Sequence, residues 1–171
     1  MPHDLLLLRH AKSDWDQSCD DFDRPLNPRG QRDAARIGHW LHAHAGLELT
    51  VLSSPARRAA QTAQTVCAAH GIAADALHWD SRIYLANLET LLDVLTERPA
   101  SQQHVLLIGH NPGLEELLLH LAPAALKQRQ GHKLLTTATL AWLELPGDWE
   151  TARHGQATLR HFIRARDLAE T

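Results

Sequence analysis

Four residues of this chain belong to types that handle phosphate, and each lies at or just beyond the end of a short apolar run. Arg9 and His10 follow Asp4–Leu8, Arg58 comes shortly after Leu49–Ser53, and His110 follows Val105–Gly109. Arginine grips phosphate bidentately, and an imidazole can serve as a nucleophile. Arg-His alone also fits the polar end of a strand. A lone helical arginine is usually a solvated charge, and a lone histidine more often a structural hydrogen-bonder. What favours chemistry is that all four fall at corresponding places. Two cations and two imidazoles facing one point are costly unless an anion sits among them.

The elements that must position them follow from apolar spacing. Asp4–Leu8, Leu49–Ser53, Leu77–Trp79 and Val105–Gly109 read as buried strands. Between them lie helical patterns, marked by Ala34, Ile37 and Leu41; by Ala59, Ala63, Val66 and His70; by Leu88, Leu91, Leu92 and Leu95; and by Leu114, Leu117, Leu118 and Leu121. Alternation of this kind predicts a three-layer α/β/α fold with a mostly parallel central sheet. After Gly131 the pattern changes, and Thr139–Leu145 with Ala157–Ile163 predicts a late antiparallel hairpin added to that sheet. No repeat, linker or low-complexity segment interrupts residues 1–171, so a single domain is expected.

Asn27-Pro28, Ser54-Pro55 and Asn111-Pro112 each read as an N-cap followed by proline at the first helical position. The last two follow strands directly, which places helix amino termini at the carboxyl edge of the sheet, where α/β folds bind ligands and where anions are favoured. With Ser54 as cap, Arg58 lies one turn in, beside Ala59, Thr62 and Ala63, while Arg57 points to solvent.

Composition sets the outer bounds. The 171 residues carry a net charge of −3, with 44% hydrophobic and 22% charged residues. That balance gives no global attraction to nucleic acid or an anionic membrane, so anion binding must be local. Cys19 and Cys67 make no disulfide framework and no metal-ligand pattern, which points to a reducing, cytoplasmic compartment. Met-Pro-His-Asp and four leucines make neither a signal peptide nor a membrane span.

The motifs resemble those of the histidine phosphatase superfamily, branch 1. Leu-Leu-Arg9-His10-Ala-Lys is similar to its signature; Ser54-Pro55-x-x-Arg58-Ala59-x-Gln61-Thr62 and Gly109-His110-Asn111-Pro112 resemble its second and third motifs in order. Short length and Arg24-Pro25-Leu26-x-x-x-Gly30 are most like the compact SixA-type phosphohistidine phosphatases. The resemblance implies the phosphoglycerate mutase-like fold without a lid insertion and a metal-independent, cofactor-free mechanism. His10 would be the nucleophile that becomes phosphorylated, kept neutral by Arg9 and Arg58. Arg9, Arg58 and His110 would bind the phosphoryl oxygens. Ser13, in the loop after His10, would either add a hydroxyl contact to phosphate or stand in solvent.

Larger members carry a carboxylic acid after the third strand that protonates an alcohol leaving group. Here that region is only Asp80–Glu89. Asp80 and Glu89 are candidates for the acid, although strand-end and helix-start roles suit them better. The expected substrate is therefore phosphohistidine on a protein partner, with a small phosphorylated molecule or a non-catalytic phosphate-binding module as alternatives. A phosphoglycerate mutase is disfavoured by the short chain and the missing acid. Thirteen histidines raise a metallohydrolase as a rival, but His42 and His44 are two apart on a helix and do not face one another. The acidic stretch Asp14, Asp16, Asp20, Asp21 and Asp23 is expected to be a mobile, solvated loop, with screening of the site mouth or contact with a basic partner surface as alternatives. Trp40 and Trp142 fall in periodic core patterns, and the other tryptophans are expected to pack as well.

Overall fold

The first strand, β1 (His3–Arg9), contains Leu5, Leu6, Leu7 and Leu8, none of which exposes any surface. Successive side chains on a strand point to opposite faces, so four buried leucines in a row require cover on both. The computed structural model, which describes residues 1–46, 48–129, 131 and 133–170, supplies it. Leu6 and Leu8 pack with α1 (Pro28–His44) and α2 (Arg57–His70). Leu5 and Leu7 pack with α3 (Leu88–Thr96) and α4 (Gly113–Leu121). These are the three layers the apolar spacing predicts.

Six strands form one sheet. The remaining five are β2 (Thr50–Ser53), β3 (Leu77–Trp79), β4 (His104–Gly109), β5 (Thr139–Leu145) and β6 (Thr158–Arg164), in spatial order β3-β2-β4-β1-β5-β6. β1 is parallel to β4, with Leu5 opposite Val105 and Arg9 opposite Gly109. On its other side it is antiparallel to β5, with Leu5 opposite Leu143. The late hairpin is present, and β5–β6 is antiparallel throughout.

Helix starts depart from the expectation in two places. Asn27 caps α1 through Oδ1, which accepts from Gly30 N at 2.8 Å, as anticipated. Ser54 does not begin α2. Its N–H is still donated to Ile108 O of the sheet, its hydroxyl accepts from Ala56 N, and helical backbone begins only at Arg57. Asn111 does not cap α4 either. Its side-chain amide donates to Leu135 O at 2.9 Å, the Asn111-Pro112 bond is cis, and the helix starts at Gly113. Proline and an Asx or Ser side chain thus turn the chain off the sheet before the helix begins. The cap of α3 is Asn87, whose side chain accepts from Thr90 N.

Two tryptophans break the packing expectation. Trp149 and Trp142 are buried and Trp40 packs beside the core, but Trp15 is 71% exposed and Trp79 lies on the edge strand β3, also exposed. His42 Nδ1–H donates to the His70 carbonyl at 2.8 Å, and His44 stacks on Trp40. Among the described residues no three His, Cys, Asp or Glu side chains gather as a metal site, and no helix is long and apolar enough to cross a membrane.

Candidate functional site

Strand pairing brings the site together. Because β1 and β4 are parallel neighbours, the residues just past their ends are adjacent, and His10 N donates to Gly109 O at 3.1 Å. The His10 and His110 rings lie 5.1 Å apart between centroids. β2 is the next strand, and the turn beyond Ser53 carries the chain into α2, where Arg58 faces inward and Arg57 stays exposed. Arg58 is 2% exposed, His110 4% and His10 7%. Arg9, His10, Arg58 and His110 therefore do share one sheet edge.

The hydrogen-bond partners fix both imidazole tautomers. His10 Nδ1 lies 2.8 Å from the Ala11 carbonyl, which can only accept, so Nδ1 carries the proton. Its Nε2 then holds a lone pair and accepts from Arg58 Nε at 3.4 Å. His110 is reversed: Arg58 Nη2 donates to its Nδ1 at 3.3 Å, and its Nε2–H donates to Ser54 Oγ at 2.8 Å. Burial is the first reason that His10 is pushed down to about 3; His110, Arg58 and Arg9 add to this, against the Ala11 hydrogen bond. His110 is likewise pushed down to about 3, first by burial and then by Arg58, with Asp21 opposing. Sequence reasoning credited the arginines with keeping His10 neutral, but desolvation is the larger cause.

The anion required among these groups comes from the chain itself. Asp21 accepts from Arg58 Nη1 through its carbonyl at 2.6 Å and from Arg58 Nη2 through Oδ2 at 3.0 Å. Its carboxylate also takes the Tyr84 hydroxyl at 2.6 Å and Arg24 Nη1 at 2.8 Å. The Tyr84 bond, then Arg58 and Arg24, hold this carboxyl down at about 2 against burial. Phe22 packs edge-on against the Tyr84 ring. The acidic loop is thus tied across the site at the 3-10 turn Asp21–Asp23, where Asp21 screens its mouth, while Asp16, Asp20 and Asp23 stand exposed to solvent. Asp21 cannot be told from its four acidic neighbours in sequence; only the fold aims it inward.

Arg9 is held differently. Its Nη1 donates to Leu135 O at 2.9 Å, while its Nε is buried without a partner. Burial lowers its guanidinium below the ordinary value, Glu115 opposes this, and Arg58 adds to it. Glu115 is itself fixed by Leu135 N and Asn111. Beside Arg9 and His10 opens a cavity of about 280 Å³, lined also by Lys12, Ser13, Trp15, Arg24 and Lys133. Ser13 is buried and accepts from Arg24 Nε at 3.0 Å, so it belongs to the cavity wall and not to solvent. Arg24, Asp21, Tyr84 and Glu115 were not singled out as site residues from sequence.

The two candidate acids stand elsewhere. Asp80 binds Arg82 through both its backbone and its guanidinium, which holds the carboxyl below its usual range. Glu89 is exposed in the first turn of α3. Neither lines the cavity.

Comparison with known proteins matches the same stretch of chain. Residues 5–80 fit the family model of the histidine phosphatase superfamily (branch 1). An uncharacterized protein of Mycobacterium tuberculosis is 35% identical over 160 residues, 91% of this chain and 98% of that one. Among solved structures, a candidate phosphohistidine phosphatase SixA from Agrobacterium tumefaciens is 30% identical, covers 95% of this chain and 98% of its own, and superposes with a TM-score of 0.77. Another candidate phosphohistidine phosphatase SixA, from Nakamurella multipartitia, is 28% identical, with 96% of each chain covered and a TM-score of 0.79.

Proposed function

The chain belongs to branch 1 of the histidine phosphatase superfamily and is a phosphatase of that superfamily, and from that premise we propose that it works through a phosphohistidine intermediate on His10 and prefers phosphohistidine of a protein partner. The observation that carries this reading is the state of His10. It is neutral, its proton is pinned on Nδ1 by Ala11, its Nε2 lone pair is met only by the long contact from Arg58 Nε, and the residue lines the cavity beside Arg9.

In the first step His10 Nε2 attacks phosphorus, the bond from phosphorus to the leaving group breaks, and the proton stays on His10 Nδ1, donated to the Ala11 carbonyl. Arg58 gives up its long contact with Nε2 and turns that donor to a phosphoryl oxygen; the unpartnered Arg9 Nε supplies another. Charge spread over the equatorial oxygens is met by these fixed guanidiniums. His110 is neutral in the resting site, and an arriving dianion raises its proton affinity, so that it can share a proton with an oxygen. Water then attacks the phosphorus on His10, phosphate leaves, and the same imidazole tautomer is restored.

The substrate preference follows from the wall of the cavity, to which the described residues contribute no carboxylic acid. General acid catalysis contributes about 10²- to 10⁴-fold, or roughly 3 to 5 kcal/mol, to expulsion of an alkoxide. Phosphohistidine needs none of it, since its second ring nitrogen can carry the proton that lets imidazole leave neutral. Rapid quenching with a labelled phosphodonor tests the intermediate: an acid-labile, alkali-stable phosphoenzyme is expected in the wild type and lost in His10→Ala. Label persisting in the variant refutes His10. Hydrolysis of sugar phosphates far faster than of phosphohistidine refutes the substrate.

A further inference from the structure

The cavity gathers more positive charge than one transferred phosphoryl group uses. Arg9, Lys12, Arg24 and Lys133 line it, and among the described residues no aspartate or glutamate does. Asp21 balances Arg24 from outside the wall, but among the described residues neither Lys12 nor Lys133 has an ion pair. Like charges converging on about 280 Å³ repel unless anions join them. A phosphoryl dianion beside Arg9 and His10 answers only part of that charge.

Arg24 is fixed as a ligand-binding arginine would be. Its Nε donates to Ser13 Oγ at 3.0 Å, its Nη1 to Asp21 at 2.8 Å, and its guanidinium lies 3.6 Å over the Trp15 ring. These contacts immobilise the head group at the cavity wall and leave Nη2 unclaimed by them. Lys12 and Lys133 are exposed and free to close on whatever Arg24 holds.

We propose that Lys12, Arg24 and Lys133 form a second anion subsite, so that the preferred substrates carry a phosphoryl or carboxylate group next to the phosphoryl that is transferred. The proposal rests on reading the His10 side of the cavity as the phosphoryl site. It also suits a site without an acid, because cations beside the leaving group stabilise the charge that develops there.

Two ligands matched except for the second anion test it. Methylphosphonate and methylenediphosphonate are compared as competitive inhibitors of p-nitrophenyl phosphate hydrolysis, and again by direct titration of Trp15 fluorescence, with Trp15→Phe identifying the signal. The diphosphonate binds roughly tenfold more tightly to the wild type, and the ratio falls to about threefold or less in the K12Q/K133Q double variant, which keeps Arg24 and whose substituted side chains are exposed. Equal binding in the wild type, or a ratio that survives the double substitution, overturns the subsite. Absence of p-nitrophenyl phosphate turnover counts against the phosphatase reading alone, since the fluorescence titration still decides the subsite. Phosphohistidine peptides flanked by Glu or by Ala then identify the source. A lower KM for the Glu peptide assigns the anion to a peptide carboxylate, and equal KM values assign it to a second phosphoryl group; both outcomes uphold the subsite.

Discussion

The carboxylate of Asp21 and the guanidinium of Arg58 meet at 3.0 Å, and the Asp21 carbonyl takes another proton of the same guanidinium. Arg58 is thereby aligned before substrate arrives, with its Nε turned to His10 and one Nη2 proton turned to His110. Asp21 is half-exposed while Arg58 is buried, so the loop covers the arginine from the solvent side.

Replacing Asp21 by Asn removes the charge and keeps the shape. Arg58 and Arg24 then share no anion, and each has lost a charge-assisted bond. Thermal unfolding is expected to show a loss of about 1–2 kcal/mol, and kcat/KM is expected to fall about tenfold. Unchanged melting together with full activity would remove Asp21 from the site.

Arg58→Lys tests the fork itself. An ammonium keeps the charge but cannot reach His10, His110 and Asp21 from one planar group. Loss of this preorganisation is expected to lower kcat/KM by about 10²- to 10³-fold, measured with the phosphohistidine substrate. A decrease of less than threefold would mean that charge alone suffices.

The two neutral imidazoles make stability depend on pH with a defined sign. His10 and His110 are pushed down to about 3 in the folded chain, whereas in the unfolded chain they titrate near 6.5. Between these values the unfolded state binds protons that the folded state does not, so stability falls as pH is lowered from about 6.5 toward 3. The slope approaches about 1.4 kcal/mol per pH unit for each ring. Denaturant unfolding at pH 7 and pH 5 measures the loss, and it is expected to shrink in the His10→Gln variant. NMR titration that showed either ring protonating near 6.5 in the native protein would contradict this.

Gly30 is tied to the same loop by lack of space. A Cβ at this position would lie 2.1 Å from the Lys12 carbonyl, which already accepts from Asn27 N. Gly30→Ala must therefore push the segment after His10 away from α1. Overpacking of this kind costs about 1–3 kcal/mol. Calorimetry is expected to show a lowered melting temperature, and kinetics a raised KM, because Lys12 and Ser13 line the cavity.

How much of this was legible in the sequence depended on whether the cause was local. The leucines of β1, the alternation of strands and helices, and the ordered motifs around Arg9, Arg58 and His110 are local signals, and the fold honours them. Asn27-Pro28 behaves as its type predicts, because nothing else competes for the Asn27 side chain. Ser54 and Asn111 have the same local chemistry but are claimed by His110 and Leu135, tertiary partners that no spacing reveals. The inward turn of Asp21 is of the same kind. It depends on Arg58, Tyr84 and Arg24, which lie 37 and 63 positions downstream and three away.

His10 is read early in the sequence, yet the strand that carries it can be seated only late in the life of the chain. β1 lies inside the sheet, and Leu8 pairs with Ile108 on one side and Leu140 on the other. A nascent polypeptide that has emerged only as far as Ser53 has nothing to hold β1 on either flank. At about 5 to 20 residues per second, the interval between synthesis of Leu8 and of Leu140 is on the order of ten seconds. For most of that time, until β4 is made, four consecutive leucines wait without a neighbouring strand, which makes the first strand the segment a chaperone would need to shield.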